Sequence, residues 1–327
     1  MDRVVLVVDA PGLLHRNHHA RAGSDLRDQG GRPAWALHGM LRQVVEAIDR
    51  FAPDRVVFGF DDRTASRRAE AYPAYKAGRR EKDETLVEQL DRAAPMLSAA
   101  GLHCVTPAGL EADDVTASAA AWASRQGWQC VVVTSDRDSF AHISAATRVL
   151  RLIDGGIHGS PLLDPRKLRT MYGIDAAQYL DYAALRGDAS DNLPGVSGVG
   201  EKSAALLLEA AGSMDAVWAD LEHADGATVA AAVDSLSLEA GGRRVGAGLV
   251  RKLAAPEARD QFDLNRRMMT AETDLDLALD PAAPGGPGTA GGLPVDAARV
   301  AHVVGHLGRP DTTELAVRVL ATPADPS

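Results

Sequence analysis

Short, continuous apolar runs punctuate the first half of the chain, and their spacing sets the expected architecture. β-Branched stretches recur at Val4–Val8, Arg55–Phe60, Cys130–Thr134 and Thr147–Leu152. Each is too short for a core helix and continuous enough for a strand buried on both faces. Between them, apolar residues return with a helical period over about 34–50, 84–100 and 112–126. Strands alternating with helices predict an α/β fold with a mostly parallel central sheet flanked by helices. From about residue 164 the pattern turns helical and rich in Ala and Leu, with Gly and Pro at the joins. The Pro- and Gly-rich run at 281–292 reads as a flexible linker, and 295–320 as one or two packed helices with a fraying tail. The predicted organisation is an α/β domain over 1–163, a helical region over 164–280, a linker over 281–294, and a C-terminal helical segment and tail over 295–327.

In an open parallel sheet, ligands sit outside the carboxyl ends of the strands. Asp9, Asp61 and Asp136 each fall within a residue or two of such an end. Gly109–Val115 adds Glu111, Asp113 and Asp114, and Thr134–Asp138 adds Asp138. Each acid alone has an ordinary explanation. Asp9 and Asp61 suit a helix cap or turn; Glu111, Asp113 and Asp114 suit the positive end of a helix; Asp136 and Asp138 suit a turn that opens one. Gathered on one face, they repel one another unless cations neutralise them. Hard oxygen donors at this density suit Mg²⁺ or Mn²⁺, the ions of phosphodiester cleavage.

Net charge changes the picture less than its distribution does. The 327 residues carry a formal charge of −10, which taken as an average disfavours a polyanionic partner. Yet Arg63, Arg67, Arg68, Lys76, Arg79, Arg80 and Lys82 form a basic stretch interrupted only by Glu70 and Glu81, and local potential steers a polyanion. Tyr72 and Tyr75 interleave with these cations, an arrangement suited to phosphate contact and base stacking, although charges alone read as a solvated face. Aromatic residues make up 4% of the chain, too few for a long single-strand platform. Cys104 and Cys130 read as buried apolar residues in a reducing compartment. No apolar run reaches the roughly 20 residues of a membrane span. The chain opens directly on a strand-like run with no leader pattern, so a cytoplasmic protein is expected. His15, His18 and His19 lack the partner spacing of a zinc site.

The segment Gly195–Ser203 nearly matches a phosphate-cradling nucleotide loop, but Glu201 intrudes before Lys202 and turn formers replace the required strand. The other readings are a plain glycine turn, or a helix-hairpin-helix over about 188–211 whose glycines let backbone N–H groups approach a DNA phosphate. In that second reading Gly195, Gly198 and Gly200 make room and Lys202 adds charge.

Taken together, Val8-Asp9, Phe60-Asp61, Arg68 to Tyr72, Tyr75 to Arg79, Gly109 to Val115, Thr134 to Asp138 and Gly187 to Gly195 resemble, in order, a known family. It is the 5′–3′ exonuclease domain at the N-terminus of bacterial DNA polymerase I, with its free-standing flap endonuclease relatives. The resemblance covers most of residues 3–280. It implies a PIN-like α/β nuclease domain with a helical arch at about 63–100, followed by a helix-three-turn-helix. It also implies two or three Mg²⁺ ions, with Mn²⁺ able to substitute, held by Asp9, Asp61, Glu111, Asp113, Asp114, Asp136, Asp138, Asp188 and Asp191. Lys76, Arg79, Arg68 and Tyr72 correspond to residues that embrace the scissile phosphate, with Tyr75 beside them as a DNA contact. The hairpin corresponds to one that grips duplex DNA and often carries K⁺.

The implied substrates are 5′ ends, 5′ flaps and nicked or gapped duplex, RNA–DNA primers included, cut in primer removal and repair. A monomer with no membrane partner is expected. No polymerase domain follows in this sequence, so action alone, or in trans with a polymerase or ligase, is expected. The chain departs from the family where His15 or His18 replaces a common aromatic, and where Arg80-Glu81-Lys82 replaces a proline-rich stretch. Three alternatives compete. A PIN-type ribonuclease needs neither arch nor hairpin. An Asp-x-Asp phosphatase wants its pair at the first strand, where Ala10 and Pro11 follow Asp9. A non-catalytic branched-DNA binder has no use for a full set of mutually repelling acids.

Overall fold

The computed structural model describes residues 3–79 and 81–321. Arg80, counted in the basic stretch, and the expected fraying tail at 322–327 lie outside the described residues. In chain order the elements begin β1 (Val4–Asp9), α1 (Ala10–Ala20), α2 (Trp35–Phe51), β2 (Arg55–Gly59), α3 (Arg67–Ala71), α4 (Glu84–Ala99) and β3 (His103–Val105). They continue with α5 (Ala112–Gln126), β4 (Gln129–Thr134), β5 (Thr147–Arg151), α6 (Gly156–Gly159), β6 (Leu162–Leu163), α7 (Pro165–Tyr172), α8 (Tyr179–Arg186), β7 (Gly187–Asp188) and β8 (Leu193–Pro194). Helices α9 (Glu201–Ala211), α10 (Met214–Ala224), α11 (Ala227–Glu239), α12 (Gly246–Leu253), α13 (Pro256–Met269), α14 (Ala297–Gly305) and α15 (Pro310–Leu320) complete the chain.

The chain divides into two units, and the division does not follow the chain linearly. Residues 68–79 and 164–271 form one unit, and the rest forms the other. The first unit is built on a six-stranded sheet in the order β3-β2-β1-β4-β5-β6. The first five strands run parallel, and β6 pairs antiparallel with β5. Strand β1 sits between β2 and β4, and its residues Val5 to Val8 are wholly buried, as continuous β-branched runs require. Parallel pairing with β2 and β4 brings the carboxyl ends of all three strands to one edge.

Helix α5 shows why its sequence stops and starts where it does. The Asp114 carboxylate accepts from the Glu111 N–H at 2.8 Å, closing half of a capping box, and Gly127 ends the helix at φ 69°. Helix α4 lay within the expected arch at 63–100, but Leu86, Leu90, Ala93 and Leu97 are buried in the core of the first unit. A helix with that apolar stripe is held by packing, so the arch expectation contracts to α3 and the turns that follow it.

The Pro- and Gly-rich run at 281–292 holds no helix or strand, yet it is tethered, not loose. The Val56 N–H donates to the Gly291 carbonyl at 2.8 Å, and the Arg55 guanidinium donates to the Asp280 and Ala283 carbonyls. Beyond it, Val295, Val300, Val304, Leu307, Ala316 and Leu320 join the core of the first unit. The segment expected as a separate C-terminal piece therefore completes the α/β layer.

The second unit is helical, apart from the two-stranded antiparallel ribbon of β7 and β8. Tyr179 and Tyr182 are buried in it, and Tyr172 meets both rings edge-on at 5.7 and 5.6 Å.

Candidate functional site

The first unit collects its acids at the carboxyl edge of the sheet. Asp9 ends β1 and is 5% exposed. Its Oδ1 accepts from the Gly12 N–H at 2.9 Å, and its Oδ2 accepts from the Thr134 hydroxyl at 2.7 Å. Thr134 in turn accepts from the Asp136 N–H at 2.9 Å, so one hydroxyl ties the ends of β1 and β4 together. Asp61, just past β2, accepts from the Ala112 N–H at 2.9 Å, which aims it at the start of α5. Asp136 accepts from the Asp138 N–H at 3.0 Å.

Burial pushes the Asp9 carboxyl up to about 6, helped by the Asp136 and Asp61 carboxylates and opposed by its bonds from Thr134 and Gly12. Like charges crowded at a buried sheet edge, all of them hard oxygen donors, fit a divalent cation. Glycine at position 12 leaves space there, since a Cβ would fall 2.1 Å from Asp9 Oδ2.

The structure also corrects the expectation of one uniform ligand set. Among the described residues, no three Asp, Glu, His or Cys side chains converge closely enough to enclose an ion. The physical reason lies in the bonds just described: carboxylate oxygens are already taken by backbone N–H groups. Asp114 is the extreme case. It is fully buried, with Oδ2 held by the Glu111 N–H and Oδ1 held by the Glu272 N–H at 2.9 Å. It acts as a structural clamp between α5 and the segment at 272.

Asp188 and Asp191 lie in the second unit, together with Arg68, Tyr72, Tyr75, Lys76 and Arg79. Asp188 accepts from the Ser190 N–H at 2.7 Å. Asp191 is 9% exposed and sits among cations: Arg79 Nη2 is 2.5 Å from its Oδ1 and Lys76 Nζ is 3.7 Å from its Oδ2. The Tyr75 hydroxyl donates to the same Oδ2 at 2.9 Å.

Tyr75 was expected as a DNA contact, but its ring is 6% exposed and packs with Leu193 and Met268, with Tyr72 partly buried against that cluster. Burial there removes its face from solvent, so stacking on a base is not its part. Arg68 donates to the carbonyls of Met268 at 2.9 Å and Thr270 at 3.3 Å, which tethers α3 to the end of α13.

Gly195 proves to be a packing residue, since a Cβ there would meet the Arg186 carbonyl oxygen at 2.1 Å. Gly198 adopts φ 72°, and its carbonyl accepts from Lys252 Nζ at 2.7 Å. Gly200 caps α9 and faces open space, and Lys202 is exposed in the first turn of that helix. These two positions keep the character the hairpin reading requires.

Sequence reasoning missed Thr134, Gly12 and Lys252. A hydroxyl at a strand end two residues before an acid is the one local signal Thr134 offers. His18, weighed for zinc, donates or accepts at Thr85 Oγ1 over 2.9 Å and lies against Trp35, as a core histidine does. Both cysteines are free, and burial pushes the Cys104 and Cys130 thiols up to about 11 and about 12. No helix among the described residues is long and apolar enough to cross a membrane.

Comparison with known proteins agrees with this arrangement. The profile of the 5′–3′ exonuclease N-terminal resolvase-like domain matches residues 4–173, and that of the 5′–3′ exonuclease C-terminal SAM fold matches residues 174–284. The chain is 37% identical to the thermostable DNA polymerase I of Thermus aquaticus over 219 residues, 67% of this chain and 25% of that protein. It is 31% identical to DNA polymerase I of Mycobacterium tuberculosis over 278 residues, 85% of this chain and 29% of that protein. The chain thus spans less than a third of the length of these curated relatives.

Among solved structures, the bacteriophage T5 D15 protein co-crystallised with metal ions is similar at TM-score 0.61 and 15% identity, covering 97% of this chain and all of that one. Flap endonuclease-1 from Methanococcus jannaschii is similar at TM-score 0.53 and 15% identity, covering 97% of this chain and 92% of that one. These two likenesses show a shared fold.

Proposed function

The chain belongs to the 5′–3′ exonuclease family, and on that premise we propose that it is a metal-dependent 5′–3′ exonuclease and 5′-flap endonuclease hydrolysing DNA phosphodiester bonds. One observation carries the reading: a buried Asp9 carboxyl raised to about 6 at a sheet edge it shares with Asp61 and Asp136, beside a glycine that leaves room. Asp9, Asp61, Glu111, Asp113, Asp136 and Asp138 are the residues that would hold divalent ions, and by resemblance Asp188 and Asp191 share the role. Mg²⁺ is the natural choice for such a set, and Mn²⁺ a substitute. A bound divalent ion supplies activation of water and neutralisation of charge at the phosphodiester.

The chain's own residues supply position and charge. Thr134 and the start of α5 orient Asp9 and Asp61. Asp114 positions Glu111 through its backbone. Lys76 and Arg79 would take the phosphate next to the cut bond, and Arg68 and Tyr72 keep their segment in place. The N-terminus of α9, with Gly198, Gly200 and Lys202, would bind duplex phosphates through backbone N–H groups and one cation, with a K⁺ ion at the same turn.

The substrates that suit this equipment are 5′ flaps, 5′ ends, nicked or gapped duplex and RNA–DNA primers, in replication and repair. A polymerase or ligase acting in trans would complete the process. Unpaired, buried thiols favour a reducing cytoplasm.

The test uses a 5′-flap duplex labelled at either end, with Mg²⁺ and then with EDTA. Metal-dependent cutting near the flap junction is expected, and Asp113→Asn should lose it while still binding the substrate. Binding without cutting in Mg²⁺ or Mn²⁺ would turn the reading to a branched-DNA binder. Preferential cutting of single-stranded RNA would turn it to a ribonuclease.

A further inference from the structure

We propose that Asp191 is a specificity-determining residue whose carboxylate occupies Lys76 and Arg79 in the DNA-free protein, so that a phosphate must displace it to be bound. The inference rests on the reading that Lys76 and Arg79 meet DNA phosphate. Everything it needs lies inside the second unit.

The contacts form a built assembly, not a chance surface pair. Asp191 is 9% exposed, and its two oxygens face Arg79 Nη2 at 2.5 Å, Lys76 Nζ at 3.7 Å and the Tyr75 hydroxyl at 2.9 Å. The backbone repeats the pairing. The Lys76 N–H donates to the Asp191 carbonyl at 3.0 Å, Arg79 Nε donates to the Ser190 carbonyl at 3.1 Å, and Asn192 Nδ2 donates to the Ala74 carbonyl at 2.8 Å. Lys76 and Asn192 both sit at φ 57°, a conformation that non-glycine residues adopt only when the surroundings impose it. Tyr75 supplies the wedge: its buried ring packs on Leu193 and Met268, and Lys76 Nζ lies 4.8 Å from its centre.

An anion already seated between two cations competes with any incoming phosphate. A lone phosphate on plain duplex must break both ion pairs to gain two new ones, an exchange with little net return. A substrate that also engages other parts of the protein has further contacts to offset the exchange. Asp191 therefore suppresses indiscriminate binding more than it suppresses binding of a cognate junction.

The experiment measures binding of a blunt duplex and of a 5′-flap duplex to the full chain by fluorescence anisotropy in EDTA, over a range of salt. Asp191→Asn, which removes the charge and keeps the shape, should tighten blunt-duplex binding about threefold or more and steepen the log Kd against log salt slope by about one to two. Flap binding should tighten less, narrowing the preference between the two. Tyr75→Phe, which removes one hydrogen bond to Asp191 and preserves the ring, should shift binding in the same direction by a smaller factor. Adding Lys76→Ala and Arg79→Ala to Asp191→Asn should cancel the gain.

Unchanged or weaker blunt-duplex binding by a folded Asp191→Asn protein would overturn the inference while leaving the nuclease reading intact. Wild-type flap binding by the Lys76→Ala/Arg79→Ala double variant would instead overturn the phosphate-contact reading, and the inference with it.

Discussion

Replacing Thr134 with valine tests whether one hydroxyl organises the acidic edge of the sheet. Thr134 is fully buried, donates to Asp9 Oδ2 at 2.7 Å and accepts from the Asp136 N–H at 2.9 Å. Valine fills nearly the same volume, so no cavity opens, but both bonds vanish together. A hydrogen bond to a charged acceptor contributes about 1.5–3 kcal/mol, and a donor left unsatisfied costs about 1–3 kcal/mol. The expected loss is about 3 kcal/mol, equivalent to roughly 6–12 °C in Tm for a protein of this size. Urea unfolding in EDTA, followed by circular dichroism, measures it. Thr134→Ser keeps the hydroxyl and sheds one methyl, at a cost of about 1 kcal/mol. If Thr134→Val costs no more than Thr134→Ser, the hydroxyl does not organise the edge and the reasoning fails. In parallel, Thr134→Val should raise the Mg²⁺ concentration needed for half-maximal cutting, because Asp9 and the Asp136 backbone lose the group that relates them.

Three further outcomes follow from the same coordinates. His38 is buried, bonds to Thr312 Oγ1 at 2.7 Å, and is held down to about 4 by burial and by the Arg21, Arg309 and Arg42 guanidinium groups, with Asp311 opposing. The unfolded chain takes up a proton there first, so stability is full above about 6.5 and falls between 6.5 and 4 by up to about 1.4 kcal/mol per pH unit; urea midpoints at pH 7 and pH 5 should differ less in His38→Gln than in wild type. Gly195→Ala places a Cβ 2.1 Å from the Arg186 carbonyl oxygen and should destabilise by about 3 kcal/mol in thermal unfolding, whereas unchanged Tm would mean the ribbon yields easily. Lys202→Ala should weaken duplex binding and lower the salt slope by about one, and an unchanged slope would return the α9 turn to a purely structural part.

How far the sequence could be read depended on how locally each feature is determined. Strands β1, β2, β4 and β5 were legible to within a residue or two because a run buried on both faces needs no partner to announce itself. Strand β3, three residues at His103–Val105, and β6, two residues at Leu162–Leu163, carry no period long enough to detect. Tyr75 was misjudged for a different reason. Its neighbours are cations, which suggested an exposed aromatic, but the residues that bury it, Leu193 and Met268, come from distant parts of the chain. The run at 281–292 misled in the same way: its composition describes a loose peptide, and what restrains it is the backbone of β2. The acids were legible as a set because strand ends in a parallel sheet converge. Which of their oxygens are already spoken for, as both are in Asp114, depends on N–H groups that only the folded chain brings near.

Those N–H groups also imply a cost that the fold carries before any cation arrives. Asp61 accepts from the Ala112 N–H at 2.9 Å, and its charge adds to that of Asp136 in disfavouring an ionised Asp9. An asparagine at position 61 can keep the same acceptor oxygen while removing the charge. The hydrogen bond that places the side chain then survives, and one like-charge repulsion is gone. Repulsions of this kind, partly exposed and screened, are worth up to about 1 kcal/mol. Asp61→Asn should therefore raise the Tm of the metal-free protein by a few degrees while removing metal-dependent cutting. A neutral or lower Tm in EDTA would mean that the carboxylate is needed for the fold itself, as Asp114 is. A higher Tm that persists in Mg²⁺ would mean that wild type gains no stability from the ion, and the acidic edge would then not be where the ion binds. The expected pattern is a Tm gain in EDTA that Mg²⁺ erases, since only the wild-type carboxylate gains a counter-ion.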